Sequence, residues 1–140
     1  MNADCVFCRI VARSLPATVV HEDDETMAFM DIHPIVKGHV LVIPKAHHDP
    51  ITDVPPPLLH RVFGVVQRVA AAQLRGLQAD GVNVFQANGA AAGQVVPHVH
   101  VHVIPRFDGD GHRWNWTTVA YASAEESAAV AARIRDALER

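Results

Sequence analysis

Residues 97–106, PHVHVHVIPR, alternate three histidines with three valines. Because successive side chains of a β-strand point to opposite faces of a sheet, this pattern predicts a strand with valines on one face and histidines on the other. His98, His100 and His102 would then stand about 6.6 Å apart along one face. A chain with this segment must fold into a sheet that buries the valines and presents a row of imidazoles.

Three uses of such a row are open from the residues alone. The first is a solvated polar face of the strand, which explains one histidine more readily than three on the same face. Neutral imidazoles bind zinc and similar metals, although such sites recruit a further ligand that this segment does not supply unambiguously. A neutral imidazole can also attack phosphorus near neutral pH, with a hydrogen bond fixing its tautomer and flanking histidines donating to the phosphate or leaving group. The spacing does not decide between metal ligand and nucleophile.

Length and composition predict one domain spanning residues 1–140. The apolar share of 49% is ordinary for a globular core, and the net charge of -3 argues against a nucleic-acid partner, since such proteins carry a basic excess. No apolar run reaches the roughly 18 residues of a membrane span, and charges stand where a signal peptide would be apolar. We therefore expect a cytoplasmic protein without a membrane partner.

The hydrophobic pattern predicts an α+β fold, with an antiparallel sheet of about five strands, a long helix and a C-terminal helix. The first half of the chain predicts a short helix in residues 5–14, a hairpin around the acidic turn 22–25, and a strand at Val40–Ile43 that Pro44 stops. A long helix follows, with Pro55–Pro57 in its first turn, Thr52 or Asp53 as its cap and its end near Gly76. After it come a strand in 81–88, the histidine strand, and a last helix with a Ser123–Glu126 capping box and an apolar face of Val130, Ile134, Ala137 and Leu138.

Cys5 and Cys8 form a CxxC motif at the start of the chain. Two cysteines this close cannot build the disulfide framework of a secreted protein, so we expect thiols or metal ligands. A redox motif is the alternative. Such motifs normally follow a strand and open a helix, and no strand is predicted before Cys5.

The segment HVHVHVIPR resembles the signature of the histidine triad (HIT) family. Two longer stretches are also similar to that family and stand in the same order and separation, AFMDIHPIVKGHVLVIPKAH (28–47) and NGAAAGQVVPHVHVHVIPR (88–106). The resemblance covers most of the chain from Cys5 to Arg106. It implies a HIT-like fold.

The resemblance implies a nucleotide hydrolase that cleaves nucleoside phosphoramidates or dinucleoside polyphosphates at the α-phosphorus. His100, the middle histidine, would attack phosphorus, expel the amine or nucleotide, and form a nucleotidyl-histidine that water converts to a nucleoside monophosphate. His98 and His102 would surround the phosphate. The similar galactose-1-phosphate uridylyltransferases have glutamine at the place of His102, so hydrolysis is favoured over transfer between sugars.

The resemblance also implies the nucleotide contacts. Asn88 and Gln94 would bind the phosphate or the leaving group, and Asp31 would accept hydrogen bonds from the ribose hydroxyls. Phe29 and Ile32 would contact the base. Asp31 could instead be a carboxylate of a turn, and apolar residues at 29 and 32 are equally expected to pack in the core. The physiological substrate stays open.

For the CxxC motif the resemblance is to zinc-bearing members of the family. Cys5, Cys8, His47 and His98 would form a closed, structural Cys2His2 zinc site that leaves His100 free. His48 is adjacent to His47 and could be confused with it.

Family resemblance further implies a homodimer joined through the long helix and a strand. The second hypothesis is a non-catalytic module that binds nucleotide or zinc and acts through partners. Trp114 and Trp116 alternate as in a strand and would pack on the sheet or reach a partner subunit's site. The sequence assigns no role to His21, His33, His39, His60 and His112.

Overall fold

A computed structural model of the chain describes residues 2–138. Its elements, in chain order, are α1 (Val6–Val11), β1 (Val19–Glu22), β2 (Thr26–Met30), β3 (Val40–Pro44), α2 (Pro56–Gly76), β4 (Gly81–Gln86), β5 (Val101–Arg106) and α3 (Ala124–Leu138), with 3-10 turns at Ile51–Asp53 and Ala90–Ala92. No helix within residues 2–138 combines the length and apolar content that crossing a membrane requires.

The five strands form one antiparallel sheet in the order β1-β2-β3-β5-β4. This confirms the predicted α+β fold. β3 and β5 are neighbours although α2 and β4 separate them in the chain, and their register places Leu41 opposite His102. The β3–β5 pairing therefore joins the two sequence stretches that carry most of the histidines.

The valine face of the histidine segment is buried, as predicted. Val101 and Val103 pack in the cluster that α2 forms with the sheet, and Val99 packs against Val54 and Leu58. The buried α2 residues in the first cluster recur at the three- and four-residue spacing of one helical face: Val62, Val65, Val66 and Val69.

The opposite face of the sheet is covered by the short helix α1. Phe7 and Cys8 pack there with Phe29, Leu41 and Ile43, which alternate with the residues that face α2. The sheet thus lies between α2 and α1. The histidines, turned away from the valines, face the α1 side.

Two local predictions were wrong. β5 begins at Val101, so His98 and His100 precede the regular strand, and the amide of Val99 donates to the carbonyl of His48 rather than to a sheet partner. Neither Thr52 nor Asp53 caps α2; both lie in the preceding 3-10 turn, and the N-cap is Pro55 without a side-chain hydrogen bond. Prolines in the first helical turn lack N–H groups, which leaves fewer donors for a cap to satisfy.

The C-terminal part departs from the sequence expectation in its packing. Glu126 N–H donates to Ser123 Oγ at 3.1 Å, which confirms the cap of α3, but no residue of this helix is buried among the residues described. Trp114 and Trp116 are not in a strand. Trp114 packs on the sheet, stacked on Phe85 at 5.8 Å between ring centroids, whereas Trp116 is 77% exposed.

Candidate active site and metal centre

His98 is fully buried and held in one tautomer. Its Nε2–H donates to the carbonyl oxygen of Pro44 at 2.8 Å, which leaves the Nδ1 lone pair free. Burial lowers the pKa of His98 to about 4, against the opposing effect of that hydrogen bond. The ring is therefore neutral near pH 7, the form in which an imidazole binds a metal.

The Nδ1 of His98 faces the two cysteines, and the predicted Cys2His2 group is brought together. The ligand atoms of Cys5, Cys8, His47 and His98 all lie within 4.8 Å of one another. Cys5 Sγ is 3.4 Å from His98 Nδ1, and Cys8 Sγ is 3.3 Å from His47 Nδ1 and 3.6 Å from His98 Nδ1. α1 brings the cysteines together, because Cys5 is its N-cap and Cys8 follows three residues later.

These separations fit a zinc ion. A tetrahedral ion with Zn–S near 2.3 Å and Zn–N near 2.05 Å places sulfur and nitrogen about 3.6 Å apart. Burial raises the pKa of the Cys5 thiol, so a cation at this position is what would favour the thiolate. The Pro44 carbonyl supplies the second hydrogen bond that orients a ligating histidine.

His100, the middle histidine, has its Nε2 lone pair available. Its Nδ1–H donates to the carbonyl oxygen of His98 at 2.7 Å, and the Phe7 ring stands edge-on to it at 5.0 Å between centroids. Burial lowers the pKa of His100, whereas the hydrogen bond to His98 and the charges of Asp31 and Asp49 raise it. His100 belongs to neither cluster of ligand atoms found in the described residues. A neutral, unligated imidazole whose Nε2 lone pair is not used in a hydrogen bond is a nucleophile.

His102 is oriented by His39, a residue that sequence reasoning did not assign. The backbone N–H of Ile35 donates to His39 Nδ1 at 3.1 Å, so the proton of the neutral His39 ring is on Nε2. This Nε2 lies 2.9 Å from His102 Nδ1 and donates to it. The proton of His102 is therefore on its own Nε2, where it can be donated to a ligand. Burial is the main cause that lowers the pKa of His102 to about 4.

Asp31 lies beside this pair. Its Oδ2 is 3.6 Å from His39 Nε2, so Asp31, His39 and His102 form a second group with ligand atoms within 4.8 Å. A metal on His39 Nε2 would displace the proton there. Because Nδ1 accepts from Ile35 and carries no proton either, the ring would have to be an imidazolate anion. The group is therefore a hydrogen-bonded network rather than a metal site. Asp31 Oδ1 also accepts from His33 N–H at 2.8 Å, as a turn carboxylate does.

Asn88 and Gln94 lie in the loop that precedes the triad and tie it to residues 49 and 51. Asn88 Oδ1 accepts from Ile51 N–H at 2.8 Å. Gln94 Nε2 donates to Asp49 Oδ1 at 2.6 Å and to the Val96 carbonyl at 2.9 Å, and its Oε1 accepts from Gly89 N–H. Both amides hold the loop in shape.

The predicted base contacts lie in different environments. Phe29 is 3% exposed and packs edge-on against Phe7, with 5.5 Å between ring centroids. It therefore has the core-packing role that was the alternative to a base contact. Ile32 is 82% exposed next to Asp31. Of the two, Ile32 has the surface that a base contact needs.

A signal for His39 was present in the sequence. In HVLVI, strand alternation puts His39 on the same face as Leu41 and Ile43. What the sequence could not supply is the β3–β5 pairing, which places Leu41 opposite His102 and thereby brings the His39 ring to it.

The HIT domain family matches residues 12–109 of this chain. The Protein hit of Bacillus subtilis is 40% identical over 118 residues, which cover 84% of this chain and 81% of that protein. The adenosine 5'-monophosphoramidase HNT1 of Saccharomyces cerevisiae is 38% identical over 108 residues, 77% of this chain and 66% of that protein. The adenylylsulfatase HINT3 of Arabidopsis thaliana is 37% identical over 110 residues, 79% of this chain and 56% of that protein.

Solved structures share the fold. A HIT family protein from Bacillus subtilis superposes with a TM-score of 0.88 at 37% identity, covering 95% of this chain and 96% of that one. A Zn-bound histidine triad family protein from Mycobacterium smegmatis has a TM-score of 0.74 at 40% identity, with 95% and 96% covered.

Proposed function

The chain belongs to the HIT domain family, and from this premise we propose that it is a nucleotide hydrolase acting through His100. Its substrates are nucleoside phosphoramidates or dinucleoside polyphosphates, which it cleaves at the α-phosphorus to release a nucleoside monophosphate. The relatives named adenosine 5'-monophosphoramidase and adenylylsulfatase support hydrolysis of an adenylyl compound.

One observation carries the proposal: the 2.7 Å hydrogen bond from His100 Nδ1 to the carbonyl of His98. It fixes the lone pair on Nε2, and burial keeps the ring neutral, so the nucleophile needs no separate base. His102 presents a proton donor beside this nucleophile. Its Nε2 carries the proton because His39 donates to its Nδ1.

The reaction follows in two steps. In the first, His100 Nε2 forms a bond to the α-phosphorus while the bond from phosphorus to the leaving atom breaks. An amine leaving group takes the Nε2 proton of His102, which solvent replaces. In the second step water attacks phosphorus, the bond to His100 breaks, and the proton lost by the water returns to solvent.

The remaining contacts are assigned as follows. Asp31 accepts from the ribose hydroxyls and Ile32 contacts the base. The side chain of His98 is fully buried, with Nε2 on the Pro44 carbonyl and Nδ1 facing the cysteines, so it does not surround the phosphate as the sequence predicted. His98 acts through its carbonyl, which orients His100. Asn88 and Gln94 bind the phosphate or the leaving group. Asn88 Nδ2 has an N–H for this beyond its bond to Gln86, whereas Gln94 would first have to release Asp49 or the Val96 carbonyl.

Turnover of adenosine 5'-phosphoramidate and diadenosine tetraphosphate tests the proposal. We expect wild type to release AMP and His100→Ala to lose at least about 10³-fold in kcat. Rapid quench and mass spectrometry of the wild type should show one nucleotidyl group on His100. His60→Ala, at an exposed position of α2, is the control. Turnover that survives in His100→Ala contradicts the proposal, and nucleotide binding without turnover by wild type favours the non-catalytic module.

A structural zinc ion held by Cys5, Cys8, His47 and His98 is part of the proposal. The donor set, the sulfur–nitrogen separations of 3.3, 3.4 and 3.6 Å and the Zn-bound relative support it. Such an ion would anchor His98, and with it the carbonyl that orients His100, without touching the substrate.

Other expectations from the sequence stay predictions. They are a homodimer, a single domain over residues 1–140, a cytoplasmic location, and the lack of a nucleic-acid or membrane partner. Light scattering of the purified protein tests the first of them.

A further inference from the structure

The surroundings of the histidines carry fixed negative charge. Asp49 lies next to His48, whose carbonyl accepts from Val99 N–H at 2.8 Å, so the segment that carries Asp49 runs beside His98 and His100. The charges of Asp31 and Asp49 both raise the pKa of His100, against the larger effect of its burial. Asp49 also holds Gln94 of the adjacent loop through the 2.6 Å hydrogen bond.

The fixed positive charges of Lys45 and Arg106 are paired away from these histidines. Among residues 2–138, no lysine or arginine forms a hydrogen bond or ion pair with His39, His98, His100 or His102. Lys45 pairs with Glu22 at 2.6 Å, and Arg106 pairs with Asp110 at 2.8 Å. Lys37 lines a groove beside α2, and α2 covers the face of the sheet opposite to the histidines.

Charge determines which leaving group such a site can expel. A departing nucleoside polyphosphate carries several negative charges, and enzymes that handle them neutralise those charges with arginine, lysine or a metal ion. A phosphoramidate nitrogen instead takes one proton, from His102 Nε2–H, and is cationic as long as its bond to phosphorus is intact. A carboxylate nearby favours this cationic state, from which the amine leaves neutral.

We propose that Asp49 is a specificity-determining residue that selects amine leaving groups over polyanionic ones. The substrate class is therefore nucleoside phosphoramidates, with dinucleoside polyphosphates disfavoured by repulsion from Asp49. This inference rests on the proposed hydrolysis through His100. It assigns the discrimination to one side chain on the segment after His47.

Asp49→Asn tests the role of charge with little change in shape, since an asparagine Oδ1 can still accept from Gln94. The quantity to measure is kcat/KM for diadenosine tetraphosphate divided by kcat/KM for adenosine 5'-phosphoramidate. Loss of folded enzyme cancels in this ratio. We expect Asp49→Asn to raise it about tenfold, Asp49→Glu to keep it close to wild type, and Asp53→Asn, an exposed control in the next turn, to change it less than about twofold.

Ionic strength provides a second measurement. Salt screens the repulsion, so we expect the wild-type ratio to rise between low and high salt, and to rise less in Asp49→Asn. A ratio that stays within about twofold of wild type in Asp49→Asn, with both substrates turned over, overturns the inference alone. If wild type hydrolyses neither substrate, the proposed function fails and the inference fails with it.

Discussion

His39 and His102 form a hydrogen bond between their rings, with 2.9 Å between His39 Nε2 and His102 Nδ1. The backbone amide of Ile35 fixes the direction of this bond, because it occupies the other nitrogen of His39. The Ile35 amide and the His39 ring, in series, therefore determine which nitrogen of His102 carries the proton. His39 is a positioning residue, since it acts on the substrate only through His102.

Loss of the His39 ring should slow the chemical step. We expect His39→Ala to lower kcat by about 10- to 100-fold with a smaller change in KM, because His102 would no longer be held in the donating tautomer. His39→Gln should recover part of the loss, as its amide nitrogen can donate to His102. Nitrogen NMR should show a mixture of His102 tautomers in His39→Ala. A single tautomer there, with normal kcat, would remove this role.

The pH dependence of activity follows from the burial of His100. Its pKa is lowered from 6.5, and the nucleophile is the unprotonated ring. As pH falls, protonation therefore removes activity, and the midpoint of that loss in kcat/KM should lie below pH 6.5. Measurement from pH 4.5 to 8.5, with circular dichroism to confirm folding at each point, checks this. A midpoint above 6.5 would contradict a buried neutral nucleophile.

Stability should depend on pH through His102. Its pKa is about 4 in the folded chain against 6.5 as the ordinary value, so the unfolded chain binds more protons between these limits. The contribution of His102 to the free energy of unfolding is fully present above pH 6.5 and is lost as pH falls toward 4, by up to about 3 kcal/mol. His102→Gln should show a correspondingly smaller loss in urea unfolding at pH 4.5 relative to pH 7.5. Equal losses in both proteins would mean that His102 does not contribute.

The sequence was sufficient for the parts of the fold that depend on local periodicity. Alternation placed Val101 and Val103 in the core, and helical spacing located α2. Pairing between distant strands is not encoded locally, so the His39–His102 contact could not be derived from the spacing of the histidines. Short-range prediction also placed His98 in a strand, although tertiary bonds to residues 44 and 48 fix that part of the chain.

Predictions for the site divide in the same way. The resemblance named the four Cys/His residues that the fold gathers. It did not foresee that Gln94 would be held by Asp49, because a hydrogen-bond partner 45 residues away leaves no pattern in the sequence. Phe29 shows the ambiguity of an apolar residue near a site, since burial in the core and contact with a base require the same side chain.

Removal of the proposed metal site should unfold the part of the molecule that carries His98. We expect elemental analysis to find one zinc per chain, and Cys5→Ser or Cys8→Ser to lose it together with several kcal/mol of stability. His48→Ala is the matched control, because His48 neighbours His47 but does not belong to the cluster. Wild-type protein that is purified without chelators and contains no metal would contradict the zinc site.

Packing beneath the triad can be tested with two valines that face each other across β4 and β5. Val103 is fully buried against α2, whereas its cross-strand neighbour Val84 is 50% exposed at the edge of the sheet. Val103→Ala should therefore lower the free energy of unfolding by about 2 kcal/mol, from lost burial and the cavity left behind. Val84→Ala should cost less than about 1 kcal/mol. Because both changes remove the same atoms from adjacent positions on one face, equal losses in urea unfolding would mean that the valine face is not the buried one, and the histidine row would then have to lie in the core.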